Sequence, residues 1–338
     1  MSGPRAAADA LWTYNGLQAV VMENPHLRLV VLPEAGGKLF SLQDRRAARE
    51  WLWQNPRIKP ERAMIGGTFD NHWSGGADAF FPTCYPCSVD GLAIPDSGEW
   101  WSIPWTQQVT EDDTYLTLTL TAGGRVYPTR SERTFRLGHD SRSVRLGFAV
   151  ENVGHESFPF LLGFHPALQP RPGGRIHLPP GTACVDETSG GSMGTAGQTY
   201  HWPDLPLPDG GAADMSVVRP ATAGQYGGHF HFPDGGRVAW AVTDPGGGPG
   251  LALSASPEFS GLWLWQVYGG WRGYHHVALE PWTGYPITLS QAVAAGGARQ
   301  LAPGETFRAE VTLACLDGAA EVARILGAGA HAAGGVDI

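Results

Sequence analysis

Apolar and polar residues alternate along much of this chain. Tyr115-Leu116-Thr117-Leu118-Thr119-Leu120-Thr121 sets apolar residues against threonine without a break, and Ser143 to Val150 alternates in the same way. Leu27 to Leu32, Arg237 to Val242, Leu251 to Ala255, Gly261 to Tyr268 and Thr306 to Cys315 are further short runs, bounded by Gly, Pro, Asn or Asp. A period of two places successive side chains on opposite faces of a strand, so each run predicts a strand with a buried face. Helical spacing is scarce. Ala319 to Leu326 predicts one helix, with Asp317 as its N-cap, Gly327 as its stop and a frayed tail beyond. Many short strands between turns predict an all-β fold of large antiparallel sheets packed face to face, with few short helices. The expected organisation is a single domain over 1–338, its core at about 11–316 and a short helix and tail at 317–338. No repeat of 20–50 residues suggests a propeller or solenoid. The stretch from Gly181 to Gly224 has weak periodicity and is expected to form long loops, which in such domains often carry function.

Composition supports this picture. The 338 residues include 47 Gly and 27 Pro, an excess that suits turns and disfavours helices. Thirteen Trp, 13 Phe and 9 Tyr exclude a disordered chain. Charged residues make up 16%, against roughly 25% in an ordinary domain. The net charge is −9 and the only lysines are Lys38 and Lys59, with no basic stripe, so no nucleic-acid partner is expected. No apolar run reaches the ~18 residues of a membrane span, and Met1 to Ala10 lacks the apolar centre of a signal peptide. The expectation is a cytoplasmic protein with no membrane partner. Cys84 and Cys87 form a Cys-x-x-Cys without a second pair, and with Cys184 and Cys315 they read as ordinary thiols.

Three segments combine aromatics with an isolated ionisable group. In Phe160-Leu161-Leu162-Gly163-Phe164-His165-Pro166, one histidine stands in an apolar run, and the following proline pushes its backbone towards an extended conformation. His165 reads either as a core histidine bonded to backbone or as a general acid between apolar walls. In Tyr274 to Pro286, Glu280 ends an apolar strand before Pro281 and Trp282. Burying a carboxylate there is costly unless it is paired, so Glu280 is either an edge residue bound to an arginine or a general base. The neighbouring His275 and His276 are expected at the surface or behind the reacting groups, and no third ligand for a metal is evident. In Ile94 to Trp105, Asp96, Ser97 and Glu99 precede Trp100, Trp101 and Trp105. Such a loop either packs on a sheet edge or offers aromatic faces and carboxylates to a sugar ring. Gly75 to Thr83, with Asp78, and Trp263-Leu264-Trp265-Gln266 extend the same composition.

In this order, Gly75-Gly76-Ala77-Asp78, Pro95-Asp96-Ser97-Gly98-Glu99-Trp100, Glu151-Asn152-Val153-Gly154, Gly163-Phe164-His165-Pro166, Leu279-Glu280-Pro281-Trp282-Thr283-Gly284 and Ala302-Pro303-Gly304-Glu305 resemble the aldose 1-epimerase (galactose mutarotase-like) family, in its broader sugar-epimerase branch. The likeness spans roughly Asn24 to Leu316. It implies a β-supersandwich that binds a sugar across one concave sheet and needs no cofactor. It also implies that a glutamate takes the anomeric hydroxyl proton while a histidine protonates the ring oxygen. By position these are Glu280 and His165. The substrate contacts it suggests are Asp78, Ser97, Glu99, Trp100, Trp265, Gln266 and Trp282, with Arg57 or Arg62 as the family's arginine. One departure is Ser97, where the family commonly carries a second histidine. The expected function is therefore mutarotation of an aldose or modified sugar. Ser97 keeps open a sugar-binding or sugar-sensing protein without turnover, and other carbohydrate chemistry on the same fold is a third reading.

Overall fold

The structure, a computed structural model, describes residues 5–187, 189 and 193–327. The chain divides into two units, one made of 1–166 and 282–312 and the other of 167–281 and 313–338.

The first unit contains β1 (Ala7–Tyr14), β2 (Leu17–Glu23), β3 (Leu27–Leu32), β4 (Lys38–Asp44), the single-turn helix α1 (Phe69–His72) and β5 (Ala77–Phe80). Next come β6 (Thr106–Glu111), β7 (Tyr115–Gly123), β8 (Thr129–Gly138), β9 (Ser143–Asn152) and β10 (Gly163–Leu168), whose last two residues pass into the second unit. One sheet runs β1-β2-β3-β4-β5-β10 and another β6-β7-β8-β9, all pairs antiparallel. The threonines of β7 are half-buried or exposed while Leu116, Leu118 and Leu120 are buried, as the alternation predicts. Phe164 of β10 meets Phe148 of β9 at 5.7 Å between ring centroids, which joins the two sheets through an apolar layer.

That layer also holds a charge. Arg133 of β8 is 1% exposed, donates from Nη1 to the Gly36 carbonyl at 2.9 Å and lies among the rings of Trp105, Phe135 and Phe148. Burial lowers its pKa to about 10, opposed by the carboxylate of Asp78. A helix absent from the sequence expectation, α2 (Leu289–Ala295), ends on Gly296 in the left-handed region.

The second unit contains β11 (Arg175–His177), β12 (Gly181–Val185), β13 (Thr199–His201), β14 (Gln225–Pro233), β15 (Ala239–Thr243), β16 (Gly250–Ala255), β17 (Gly261–Tyr268) and β18 (His275–Trp282), with Trp282 itself in the first unit. The order β18-β17-β14-β12-β13 forms one sheet and β11-β15-β16 belongs to another. β19 (Thr306–Leu316) begins in the first unit and ends in the second. The expected long-loop region from Gly181 to Gly224 thus supplies two strands of a sheet, and a small hairpin of Asp204–Pro206 with Ala212–Asp214. The C-terminal helix is a 3₁₀ turn at Ala319–Glu321 followed by α3 (Val322–Gly327). Asp317 is not its cap: Gly318 stands there, and the Asp317 N–H donates to Glu321 Oε2 at 2.8 Å. The predicted tail lies outside the described residues.

Candidate functional site

β10 aims His165 into an aromatic box of the first unit. Its ring centroid lies 5.1 Å from Phe80, 5.3 Å from Trp73 and 5.9 Å from Phe69, and the residue is 3% exposed. Phe69 and Trp73 come from α1 and its exit, where one helical turn brings positions four apart to the same side. Asp78 is directly opposite His165 in the β5–β10 register. Opposed residues of an antiparallel pair leave the same face of the sheet, so the carboxylate and the imidazole share it. Asp78 is 1% exposed and accepts from Lys38 Nζ at 2.8 Å, while the same ammonium donates to the Gly75 carbonyl at 2.8 Å. The Gly75-Gly76 turn makes room for this. Both glycines have positive φ, and a Cβ on Gly75 would meet the Trp53 carbonyl at 2.2 Å.

The tryptophan loop divides between two tasks. Trp100 is fully buried, stacked on Phe81 at 5.0 Å and perpendicular to Trp105 at 5.5 Å. Glu99 is fully buried as well, and its carboxylate accepts the backbone N–H groups of Arg125 and Val126. Burial raises its pKa despite those bonds. Glu99 and Trp100, expected on a sugar, are both fully buried here, the carboxylate on the backbone of the Arg125 turn and the indole on Phe81. Trp101 turns the other way, edge-on to Phe69 at 5.2 Å, with its Nε1 donating to the Asp96 carbonyl at 2.9 Å. Asp96 Oδ2 accepts the N–H of Phe69 at 2.9 Å and so ties α1 to the loop. Ser97 sits in the left-handed region, φ 56°, with its hydroxyl 3.3 Å from Asp96 Oδ1.

Trp282 is fully buried beside the box, 6.1 Å from Phe80. Its ring fills the space a Cβ on Gly163 would occupy, 2.5 Å away. Of the two arginines considered, Arg62 is exposed and paired with Glu34, and Arg57 is exposed with its backbone N–H on Asn55 Oδ1.

In the second unit, Glu280 is fully buried on β18. Alternation puts it on the face of His276. His276 is also fully buried, not at the surface, because the Trp265 ring stands edge-on to it at 4.8 Å. Trp265 is half-buried and meets Trp271 at 5.0 Å. Gln266 faces the opposite side of β17. Its amide donates to the Met215 carbonyl at 2.8 Å and to the Tyr268 hydroxyl at 3.0 Å, which makes it an anchor for the covering loop. On that opposite side β14 carries His229 and His231. His229 Nδ1 meets the Tyr200 hydroxyl at 3.1 Å. Burial lowers the pKa of both histidines to about 4.

The expectation thus named His165 and Asp78, and the structure adds Lys38, Phe69, Trp73 and Phe80 around them. Phe69 and Trp73 flank a single helical turn, too short to leave a periodic signal, and Lys38 reads as an ordinary strand residue. Among the described residues, no three His, Cys, Asp or Glu side chains are grouped as a metal ion requires. No described helix is long and apolar enough to cross a membrane.

Comparison with known proteins identifies the family and the fold. The family model for aldose 1-epimerase matches residues 18–314. A Klebsiella pneumoniae protein named provisionally as an aldose 1-epimerase superposes with a TM-score of 0.75 at 14% identity, covering 97% of this chain and 88% of that one. A galactose mutarotase-like protein of Clostridium acetobutylicum gives 0.67 at 13% identity, over 93% and 99%. The galactose mutarotase related enzyme of Lactobacillus acidophilus gives 0.62 at 14%, over 90% and 99%. At these identities the likeness shows the fold, which is galactose mutarotase-like. No curated protein sequence matches the chain.

Proposed function

We propose that this chain, which belongs to the aldose 1-epimerase family, interconverts the anomers of an aldose or modified sugar. In this reading Glu280 removes the proton of the anomeric hydroxyl and His165 protonates the ring oxygen. The C1–O5 bond opens, the C1–C2 bond rotates, and closure on the other face of the carbonyl reverses the two proton transfers. The net reaction is proton-neutral and needs no cofactor. The observation that carries the reading is His165 itself: an imidazole almost without solvent contact, walled by Phe69, Trp73 and Phe80. A position so dry keeps bulk water from competing for a proton in transfer. Glu280 supports it as a fully buried carboxylate on the same face of β18 as His276, against which the Trp265 ring stands. Trp265, half-buried, is the ring on which an apolar sugar face would stack, and Trp101 stands edge-on to Phe69 of the box.

The test is anomer exchange measured by proton NMR on a panel of free, deoxy and phosphorylated aldoses. The reading expects acceleration on at least one sugar that is lost in Glu280→Gln and in His165→Asn. Full activity in either variant, or no exchange on any sugar, overturns it. Sugar binding without exchange would instead favour the non-catalytic sensor that Ser97 suggests.

A further inference from the structure

We propose that His72, held by Glu61, is a second histidine that contacts the bound sugar and sets which hydroxyl pattern is accepted; this rests on the anomer-exchange reading above. His72 is the last residue of α1, between Phe69 and Trp73, the two rings of that turn that wall His165. Its ring lies 6.2 Å from that of Trp101, tilted by 34°, so it stands at the rim of the same aromatic box. Unlike His165 it is wet, with a side chain 32% exposed. Its Nδ1 is 2.7 Å from Glu61 Oε1. A carboxylate on Nδ1 fixes the tautomer: Nδ1 keeps the proton and Nε2 presents its lone pair. The Nε2–Cδ2 edge lies against Gly67, where even a Cβ would come within 3.4 Å of Nε2. The result is an oriented hydrogen-bond acceptor beside aromatic faces, the combination that recognises a sugar hydroxyl.

The helix is fixed in place independently of Glu61, through the Phe69 N–H on Asp96. Changing Glu61 therefore loosens the imidazole and leaves α1 standing. Arg62, the neighbour of Glu61, is neutralised by Glu34, and Lys38 by Asp78, so neither cation competes for the hydroxyl.

The experiment compares the unmodified protein with His72→Asn and Glu61→Gln, on the best sugar and on its single-deoxy analogues. One lost hydrogen bond to a hydroxyl predicts a KM about tenfold higher in His72→Asn with kcat within about twofold. Glu61→Gln should raise KM about threefold. On the one analogue lacking the contacted hydroxyl, the unmodified protein and both variants should coincide. An unchanged KM, or the same loss on every analogue, overturns the proposal. A second measurement separates it from the catalytic reading. The His72 Cε1–H resonance, assigned by its absence in His72→Asn, should move as that sugar is added to the unmodified protein. If no sugar undergoes exchange, the catalytic reading fails, and a shift still supports the contact while a fixed resonance refutes it.

Discussion

His165 in the first unit and the pair His229 and His231 in the second are all nearly solvent-free, yet their surroundings differ in kind. His165 faces three aromatic rings and stands opposite a carboxylate in register. His229 is bonded to a tyrosine hydroxyl, and His231 lies on the same face of β14 with the Trp202 ring 6.4 Å away. Burial holds the pKa of His229 and His231 at about 4, which keeps both rings neutral and suits a structural role. His165 instead shares its sheet face with the Asp78 carboxylate, itself paired with Lys38. Depth alone therefore does not set the three histidines apart; what surrounds them does.

The sharpest way to break this contrast is to remove each histidine in turn. His165→Asn should lower the anomer-exchange kcat by about 10²–10⁴, the usual contribution of general acid–base catalysis, with circular dichroism unchanged. His229→Gln should leave exchange intact. Equal losses in both would erase the distinction.

The next effect is on stability. Asp78→Asn leaves the Lys38 ammonium buried without its carboxylate, and should cost about 3–5 kcal/mol in denaturant unfolding. Combining Lys38→Met with Asp78→Leu should recover most of it. If the double variant stays as unstable as the single one, the pair is not an isolated electrostatic unit.

The two neutral histidines predict a pH dependence. Their folded pKa is about 4, while an unfolded histidine takes its proton near 6.5. As pH falls, the unfolded chain binds protons first. Stability is therefore full above about pH 6.5 and is lost progressively down to about pH 4, by roughly 3 kcal/mol per histidine. Unfolding midpoints measured across that range should fall, and the slope should be about halved in His229→Gln. A flat profile would mean that these rings are charged in the folded state.

The smallest effect concerns Trp282. Gly163→Ala drives a methyl into its ring and should cost about 1–3 kcal/mol by thermal unfolding, with a shift in activity because Phe80 separates Trp282 from His165. An unchanged midpoint would show that the ring has room to move.

Much of the strand pattern could be read in advance. Gly261–Tyr268 has the predicted bounds, and the runs at Leu27, Tyr115, Ser143, Leu251 and Thr306 lie in strands that begin at those residues or one before. β1 was missed because its side chains are mostly exposed and leave little alternation to read. α2 was missed because its seven residues are too few for a helical period. The tryptophan loop shows the limit of composition. Trp100 and Trp101 are neighbours, yet the first is stacked into the core on Phe81 and the second borders the His165 box. Adjacent residues differ in direction, and only the turn at Pro95 to Gly98 decides which points where. Glu99 looked like a sugar ligand because carboxylates beside tryptophan suit sugars. It folds a distant turn because the N–H groups of Arg125 and Val126 are brought to it.

The sequence by itself determined an all-β chain, its turns, its lack of a basic surface and two ionisable residues in aromatic company, since alternation and composition are local properties. Only the tertiary structure decided that Asp78 faces His165, that Lys38 neutralises Asp78, that Gln266 serves the opposite face of its strand and that His72 stands at the rim of the box. Each of these depends on strand register or on contacts between residues far apart in the chain. A shift of register by one residue would send the strand side chains among them, Lys38, Asp78, His165 and Gln266, to the other side of their sheets, while His72 is placed by the contacts of α1.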